Sequence, residues 1–364
     1  MGNLKNKNKS KHNYFLSLAF EEAKKNLGST KTNPSVGCIV EREGTVLSSG
    51  CTSFNGRPHA EFNALNVKKN FKNANIYTTL EPCTHFGQTP PCTDIIIKKK
   101  IKKIFYSAID PDSRTKNKLK KKLKNKNIYI KGSILKKEGL NFYKSYYLQH
   151  NSDLPLIDAK IAISRDYYTK NLKKKWITNF YSRSRAQLLR SMYNCIISTS
   201  KSINDDNSLL DCRIKGLEKK SPDLVILDRN LKLKKKLNLL MKRKNRKIYL
   251  YTCSENKKKI SFFKRNGIKI IKFKSLNNKK DLINLFLILK KKGYSRIFIE
   301  SGLTLLNILI KYKFLKNIFI FKSGNKLMKY GTNFSNYNLI KKINLKNIIN
   351  VNLFGDKLYK ERLR

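Results

Sequence analysis

His59-Ala-Glu61, followed by Glu81-Pro-Cys83-Thr-His-Phe-Gly-Gln-Thr-Pro-Pro-Cys92, is the stretch that decides how the first part of this chain folds and what chemistry it supports. Two thiolates and one imidazole suit Zn(II), and three protein ligands leave the fourth tetrahedral position open for a water. An open position points to catalysis. Zinc lowers the pKa of such a water toward neutrality, and a carboxylate two residues past the histidine is placed to carry its proton to a leaving amine. The expected metal ligands are therefore His59, Cys83 and Cys92, and the expected catalytic proton shuttle is Glu61. Two other readings stay open: thiols buried as small hydrophobes beside a loop histidine, or a closed structural zinc knot with His85 as fourth ligand.

Zinc nucleobase deaminases carry H-x-E followed by P-C-x-x-C, with the glutamate outside the metal sphere. Both halves are present here, but eight residues rather than two separate Cys83 from Cys92. Working outward, Leu16, Phe20, Ala23 and Leu27 recur at helical spacing before Gly28, a pattern for an amphipathic helix with a glycine cap. Residues 36–40 and 45–49 read as strands joined by the turn Glu41-Arg-Glu-Gly44. Helices over 59–67, 94–99 and 118–124 alternate with strands over 75–80, 104–108 and 128–130. That alternation predicts an α/β layered domain over residues 1–150, with zinc ligands at helix starts where the dipole favours thiolates.

The polar run Gln149-His-Asn-Ser-Asp153, followed by Pro155, marks a boundary, and a second domain is expected over residues 151–364. Its strands are read at 156–163, 195–198, 224–227, 247–252, 269–273 and 296–300, with helices over 183–192 and 281–291. The strand ending at Glu300 runs into Ser301-Gly-Leu-Thr304 and another helix, a turn that presents backbone N–H groups to phosphate. No G-x-G-x-x-G is present, which argues against a Rossmann dinucleotide domain.

At 364 residues the chain exceeds the size at which single cores stop growing, so two domains are expected. No apolar run is long enough to span a membrane, and the seven scattered cysteines make a poor disulfide framework. A soluble, cytoplasmic protein with reduced thiols follows as the expectation. The net charge of +56, from 80 basic and 24 acidic residues, would ordinarily suggest nucleic-acid binding. The excess is nearly all lysine, however, and is spread from Lys5 to Lys360 among many Asn and Ile, the profile of a chain drifting toward A/T-rich codons. Weak, salt-sensitive attraction is expected, with no specific nucleic-acid partner.

Beyond the zinc motif, Thr32-Asn-Pro-Ser-Val-Gly37, Thr79-Leu-Glu-Pro-Cys83, Thr89-Pro-Pro-Cys92 and Asp110-Pro-Asp112 complete a set. In the second half, Lys160, Ser164-Arg-Asp166, Trp176-Ile-Thr178, Gln187-Leu-Leu-Arg190, the segment from Ser202 to Arg213, and Glu300-Ser-Gly-Leu-Thr304 form another. Together they resemble the bifunctional riboflavin-biosynthesis deaminase/reductase family over almost the whole chain. The resemblance implies a cytidine-deaminase-like three-layer domain followed by a dihydrofolate-reductase-like α/β domain, with Zn2+ and NADPH as cofactors. It implies hydrolytic deamination of a phosphorylated pyrimidine nucleotide, 2,5-diamino-6-ribosylamino-4(3H)-pyrimidinone 5′-phosphate, then reduction of its ribosyl group to a ribityl chain. Asn33, His85 and Asp110 are implied contacts in the first site. In the second, Ala162, Trp176, Ser202, Asp206 and Gly302 are implied to hold NADPH, and Lys160, Arg190, Leu210, Arg213 and Glu300 the substrate. Arg190 and Arg213 are suited to grip phosphate bidentately, and Lys160 or Glu300 to protonate a ring oxygen.

Departures from the family pattern are also legible. A glycine gives way to Tyr167, Gly-Pro-Thr becomes Gly302-Leu-Thr304, and the spacer's usual arginine is Gln88. A zinc deaminase with a degenerate reductase half, an RNA-directed nucleobase deaminase, and a non-catalytic zinc protein are the alternatives. The sequence leaves room for a homo-oligomer.

Overall fold

The computed structural model describes residues 2–241, 246–276, 278–335 and 337–363. They form two compact units, Met1–Asp153 and Leu154–Arg364.

In the first unit, helix α1 (Gly2–Lys24) precedes the hairpin β1 (Gly37–Arg42) and β2 (Thr45–Cys51). Glu43 and Gly44 both take positive φ (54° and 93°), as the tight turn between twisted strands requires. Then come α2 (Ala60–Leu65), β3 (Asn75–Leu80), α3 (Cys92–Lys98), β4 (Lys103–Ala108), α4 (Leu119–Lys122), β5 (Tyr129–Lys131), α5 (Lys136–Phe142) and α6 (Lys144–Asn151). The sheet order is β2-β1-β3-β4-β5, antiparallel on the hairpin side and parallel from β3 to β5. Strand alternation divides the core between two faces. Ile39, Tyr77 and Phe105 meet Phe15, Leu16 and Ala19 of α1, whereas Cys38, Val40, Ile76 and Ile104 meet Ala60, Ala64 and Leu65 of α2 and Ile96 of α3. The result is three layers. The α1 helix ends before Leu27, which the spacing had placed on its apolar face; the chain turns after Lys24, and Gly28 takes φ 83°.

The second unit contains β6 (Leu156–Ile163), β7 (Lys170–Asn171), α7 (Phe180–Arg190), β8 (Cys195–Thr199), α8 (Ser200–Asp206), β9 (Asp223–Leu227), α9 (Asn238–Met241) and β10 (Ile248–Thr252). It continues with α10 (Lys257–Arg265), β11 (Lys269–Lys272), α11 (Lys279–Lys291), β12 (Arg296–Glu300), α12 (Leu303–Lys311), β13 (Asn317–Lys322), β14 (Gly331–Thr332) and β15 (Lys357–Arg362). Eight strands pair in the order β11-β10-β9-β8-β12-β6-β13-β15, all parallel except the last pair. The α7 helix begins three residues earlier than its apolar spacing suggests, because the Asn179 side chain accepts from Ser182 N–H and caps it. Ile157, Ala159, Ile161 and Ile163 face α11 and α12; Ile196, Phe298 and Phe321 face α7 on the other side. Among the described residues no helix is long and apolar enough to cross a membrane.

Candidate functional site

The His59 residue caps α2, so its ring leaves the helix start while Glu61 sits in the first turn. Helix α2 lies close on β2: a Cβ at Gly50 would stand 2.5 Å from the Ala60 carbonyl oxygen, so only glycine admits this approach. The loop after β3 brings in Cys83, and Pro91 caps α3, whose first residue is Cys92. The Cys92 N–H donates to Cys83 Sγ (3.2 Å), tying the loop after β3 to the start of α3. His59 Nδ1 stands 3.7 Å from Cys83 Sγ and 3.4 Å from Cys92 Sγ. Tetrahedral zinc with ordinary Zn–S and Zn–N bonds sets such separations at about 3.6 Å. Donor chemistry and spacing both fit zinc. Their ligand atoms lie within 4.8 Å of one another, in a group that does not include His85. The His85 ring instead bonds Thr115 Oγ1 through Nδ1 (3.0 Å), against the closed four-ligand knot.

Electrostatics favour the same assignment. The Cys92 thiol's hydrogen bond, with His59 alongside, holds the Cys83 thiol down at about 4, although burial opposes this. Glu61 is 3 % exposed, and burial, reinforced by the Cys83 sulfur's charge, pushes its carboxyl up toward the range useful for proton transfer.

These groups open into a cleft also lined by Asn33, His85 and Asp110. Sequence reasoning missed Arg57, Arg114 and Tyr146 on its walls; the nearness of Arg57 to His59 in sequence was the available signal. Burial pushes Asp110 up to about 7, although the Asp112 N–H and the Tyr146 hydroxyl both donate to it. Between its ordinary value of 3.8 and about 7, the folded state holds a proton that the unfolded chain has lost, so stability falls as pH rises through that window. Asp110→Asn is therefore expected to flatten this decline. Urea unfolding of wild type and variant at pH 5 and pH 7.5 checks it, and an equal difference at both pH values would contradict it.

In the second unit, Ser198, Glu300 and Lys160 stand side by side across β8, β12 and β6. The Glu300 carboxylate accepts from Arg190 Nε (2.6 Å) and Nη2 (3.0 Å), while Arg190 Nη1 donates to the Asp211 carbonyl (3.0 Å). Burial opposes the Glu300 charge, but Arg190 holds its carboxyl low. That guanidinium is thus committed, unlike the free phosphate grip its residue type suggested. Arg213 keeps its side chain 46 % exposed, with one donor on Asp211 Oδ1 (3.0 Å). Leu210 is buried at a φ of 52°. Burial lowers the Lys160 pKa, with Glu300 and the exposed Asp206 opposing the shift.

The Gly302 N–H at the start of α12 donates to Ser202 Oγ (3.2 Å), itself 3.0 Å from Thr199 Oγ1. A Cβ at Gly302 would meet only Ser202 Oγ, at 3.9 Å, so the space before this helix start is open. The buried Ser198 Oγ has no hydrogen-bond partner among the described residues. An open turn beside a helix start and an unsatisfied hydroxyl at the same strand ends fit a phosphate-bearing cofactor such as NADPH. Ala162 shares the strand face of Lys160, and Trp176 lies exposed with Arg183 4.8 Å and Lys175 5.1 Å from its ring. The Tyr167 ring packs with the α11 and α12 cluster under Lys322 (4.2 Å), while its backbone keeps a glycine-like φ of 68°. Leu303 is buried in that same cluster.

The family model for the cytidine and deoxycytidylate deaminase zinc-binding region matches residues 9–108, and that for the RibD C-terminal domain matches residues 155–322. The riboflavin biosynthesis protein RibD of Aquifex aeolicus is 32% identical over 310 residues, 84% of this chain and 85% of that one. Its counterpart in Buchnera aphidicola subsp. Baizongia pistaciae is 30% identical over 328 residues, 87% and 88% of the two chains. Among solved structures, a Thermotoga maritima diaminohydroxyphosphoribosylaminopyrimidine deaminase/5-amino-6-(5-phosphoribosylamino)uracil reductase aligns with a TM-score of 0.82 at 24% identity, over 98% of this chain and 99% of that one. Acinetobacter baumannii RibD aligns at 0.80 and 23%, over 97% and 98%. At such identities the structures establish the fold.

Proposed function

Because the chain belongs to the bifunctional riboflavin-biosynthesis deaminase/reductase family, we propose that its two units act in turn on one phosphorylated pyrimidine nucleotide. It is an enzyme of riboflavin biosynthesis, combining a zinc-dependent deaminase with an NADPH-dependent reductase. The deaminase is assigned to residues 1–150 and the reductase to 151–364, a division supported by the two compact units and the two family matches. The substrate is assigned as 2,5-diamino-6-ribosylamino-4(3H)-pyrimidinone 5′-phosphate.

The observation that carries the first step is the His59, Cys83 and Cys92 cluster with buried Glu61 beside it. Bound zinc supplies Lewis acidity and lowers the pKa of a water. Glu61 takes the proton as that oxygen bonds to the amidine carbon, then returns it to the departing nitrogen, so that water enters and ammonia leaves. Asn33 and Asp110 orient the ring, and His85 contacts the substrate. In the second step NADPH supplies a hydride. That hydride would go to C1′ as the C1′–O4′ bond opens, and Lys160, its pKa lowered by burial, would protonate the released oxygen. Ser202 and Gly302, with Ala162, Trp176 and Asp206, hold the cofactor. Arg213, Leu210 and the paired Arg190 and Glu300 hold the substrate.

Chelation separates the two steps. Stripping zinc is expected to end ammonia release while the protein still oxidises NADPH with the deaminated nucleotide. Loss of both, or of neither, would contradict the assignment. The reading includes a cytoplasmic setting, where thiols stay reduced, and no specific nucleic-acid partner. Retention on a phosphate matrix is expected to end at moderate salt.

A further inference from the structure

We infer that Arg57 and His85 form a cradle for the substrate's phosphate on the wall of the deaminase cleft beside His59, an inference that rests on the phosphorylated pyrimidine proposed above. His59 Nδ1 faces both sulfurs, so a metal-bound His59 carries its ring proton on Nε2. Histidine ligands ordinarily donate that proton to a carboxylate, carbonyl or water. Here the group at 3.4 Å is Arg57 Nη1, itself a donor. Two donors confront each other, and the protein places no acceptor between them.

The guanidinium is held in place by Thr89 Oγ1 (2.6 Å), a neutral partner, and no carboxylate pairs with it among the described residues. Arg114, the other arginine on the cleft wall, is neutralised by Asp112 through Nε (3.0 Å) and Nη2 (2.5 Å). Between Cys83 and Cys92 the sequence offers no lysine or arginine, and position 88 is a glutamine. Arg57 is therefore the arginine in the cleft whose charge is left for a ligand. The His85 ring bonds Thr115 Oγ1 through Nδ1; with the hydroxyl as donor, Nε2 carries the ring proton and is left for the same purpose. A Cβ at Gly87 would stand 3.6 Å from Arg57 Nη2 and 3.8 Å from His85 Nε2, so both donors close on one point above the spacer, and glycine leaves that point empty. A dianionic phosphate supplies the acceptors that Arg57, His85 and the His59 Nε2–H lack, and arginine's fork suits it.

The test compares deamination of the 5′-phosphorylated nucleotide with that of its dephosphorylated riboside, as ratios of kcat/KM. The wild type is expected to prefer the phosphorylated form. Arg57→Ala should reduce that preference at least tenfold, mainly through KM, with zinc content retained, and Arg57→Lys should recover part of it. A preference unchanged in Arg57→Ala would overturn the inference, as would equal losses on both substrates. A second readout does not depend on turnover. With Co2+ replacing zinc, the 31P relaxation of added ribose 5-phosphate should be enhanced in the wild type and not in Arg57→Ala; equal enhancement in both proteins, or none in either, would overturn the cradle. If the wild type deaminated neither substrate, the proposed function would fall while the 31P comparison still decided the role of Arg57.

Discussion

Glu61→Gln is expected to lower deamination by roughly 10²–10⁴-fold, the usual contribution of a positioned acid–base group, with zinc content and NADPH-dependent reduction unchanged. Glutamine fills the same space at the start of α2, so His59 keeps its place as cap and the cluster keeps its ligands. What is lost is the proton site. Glu61 is buried beside Cys83, and its carboxyl is raised by that burial, so no neighbouring water takes over its traffic easily. Ammonia release in single turnover, with zinc measured on the same sample, checks this. A variant that lost zinc along with activity would place Glu61 in the metal's support instead. One that kept near-wild-type rates would remove it from the chemistry.

Glu300→Ala is expected to destabilise the second unit by about 3–5 kcal/mol, because it strands the Arg190 guanidinium, whose side chain is only 12 % exposed. For a unit of this size that corresponds to a fall in Tm on the order of ten degrees. The first unit contributes a separate transition and an independent activity, so zinc-dependent ammonia release is expected to continue at temperatures where reduction has ceased. Glu300→Gln, which retains one acceptor for Arg190 but sets an amide NH2 against its second N–H and lacks the charge, should recover part of the stability but not the reductase rate. If Glu300→Ala melted like the wild type, the ion pair would not be a structural element of the strand ends.

The sequence disclosed the metal cluster because its residue types and local spacing carry the chemistry: His59 and Cys92 sit at helix starts, which the sequence shows well, although Cys83, expected at one too, lies in the loop after β3. The strands β3, β6 and β12 were legible as apolar runs bounded by turn residues. Harder to see were β13 and β15, which complete the second sheet. Lys357–Arg362 carries three basic residues out of six and pairs at the sheet edge, where one side faces water and apolar content is low. The pairing of Arg190 with Glu300 joins residues 110 positions apart, which no local pattern reports, so Arg190 looked free for phosphate. At Tyr167 the lost glycine was legible in the sequence, and the structure adds that the ring joins the α11 and α12 cluster while the backbone keeps a φ of 68°. Arg57 was overlooked because, in a lysine-rich chain, a place two residues before His59 is a weak signal until its partners are known.

The most direct test incubates zinc-loaded protein with the diaminopyrimidinone ribosyl phosphate, with and without NADPH, and follows ammonia release and NADPH absorbance separately. Ammonia release independent of NADPH, followed by NADPH oxidation only once deaminated product has formed, is the predicted result. NADPH oxidation without prior ammonia release, or neither signal from protein that retains its zinc, would contradict two sequential steps on one nucleotide.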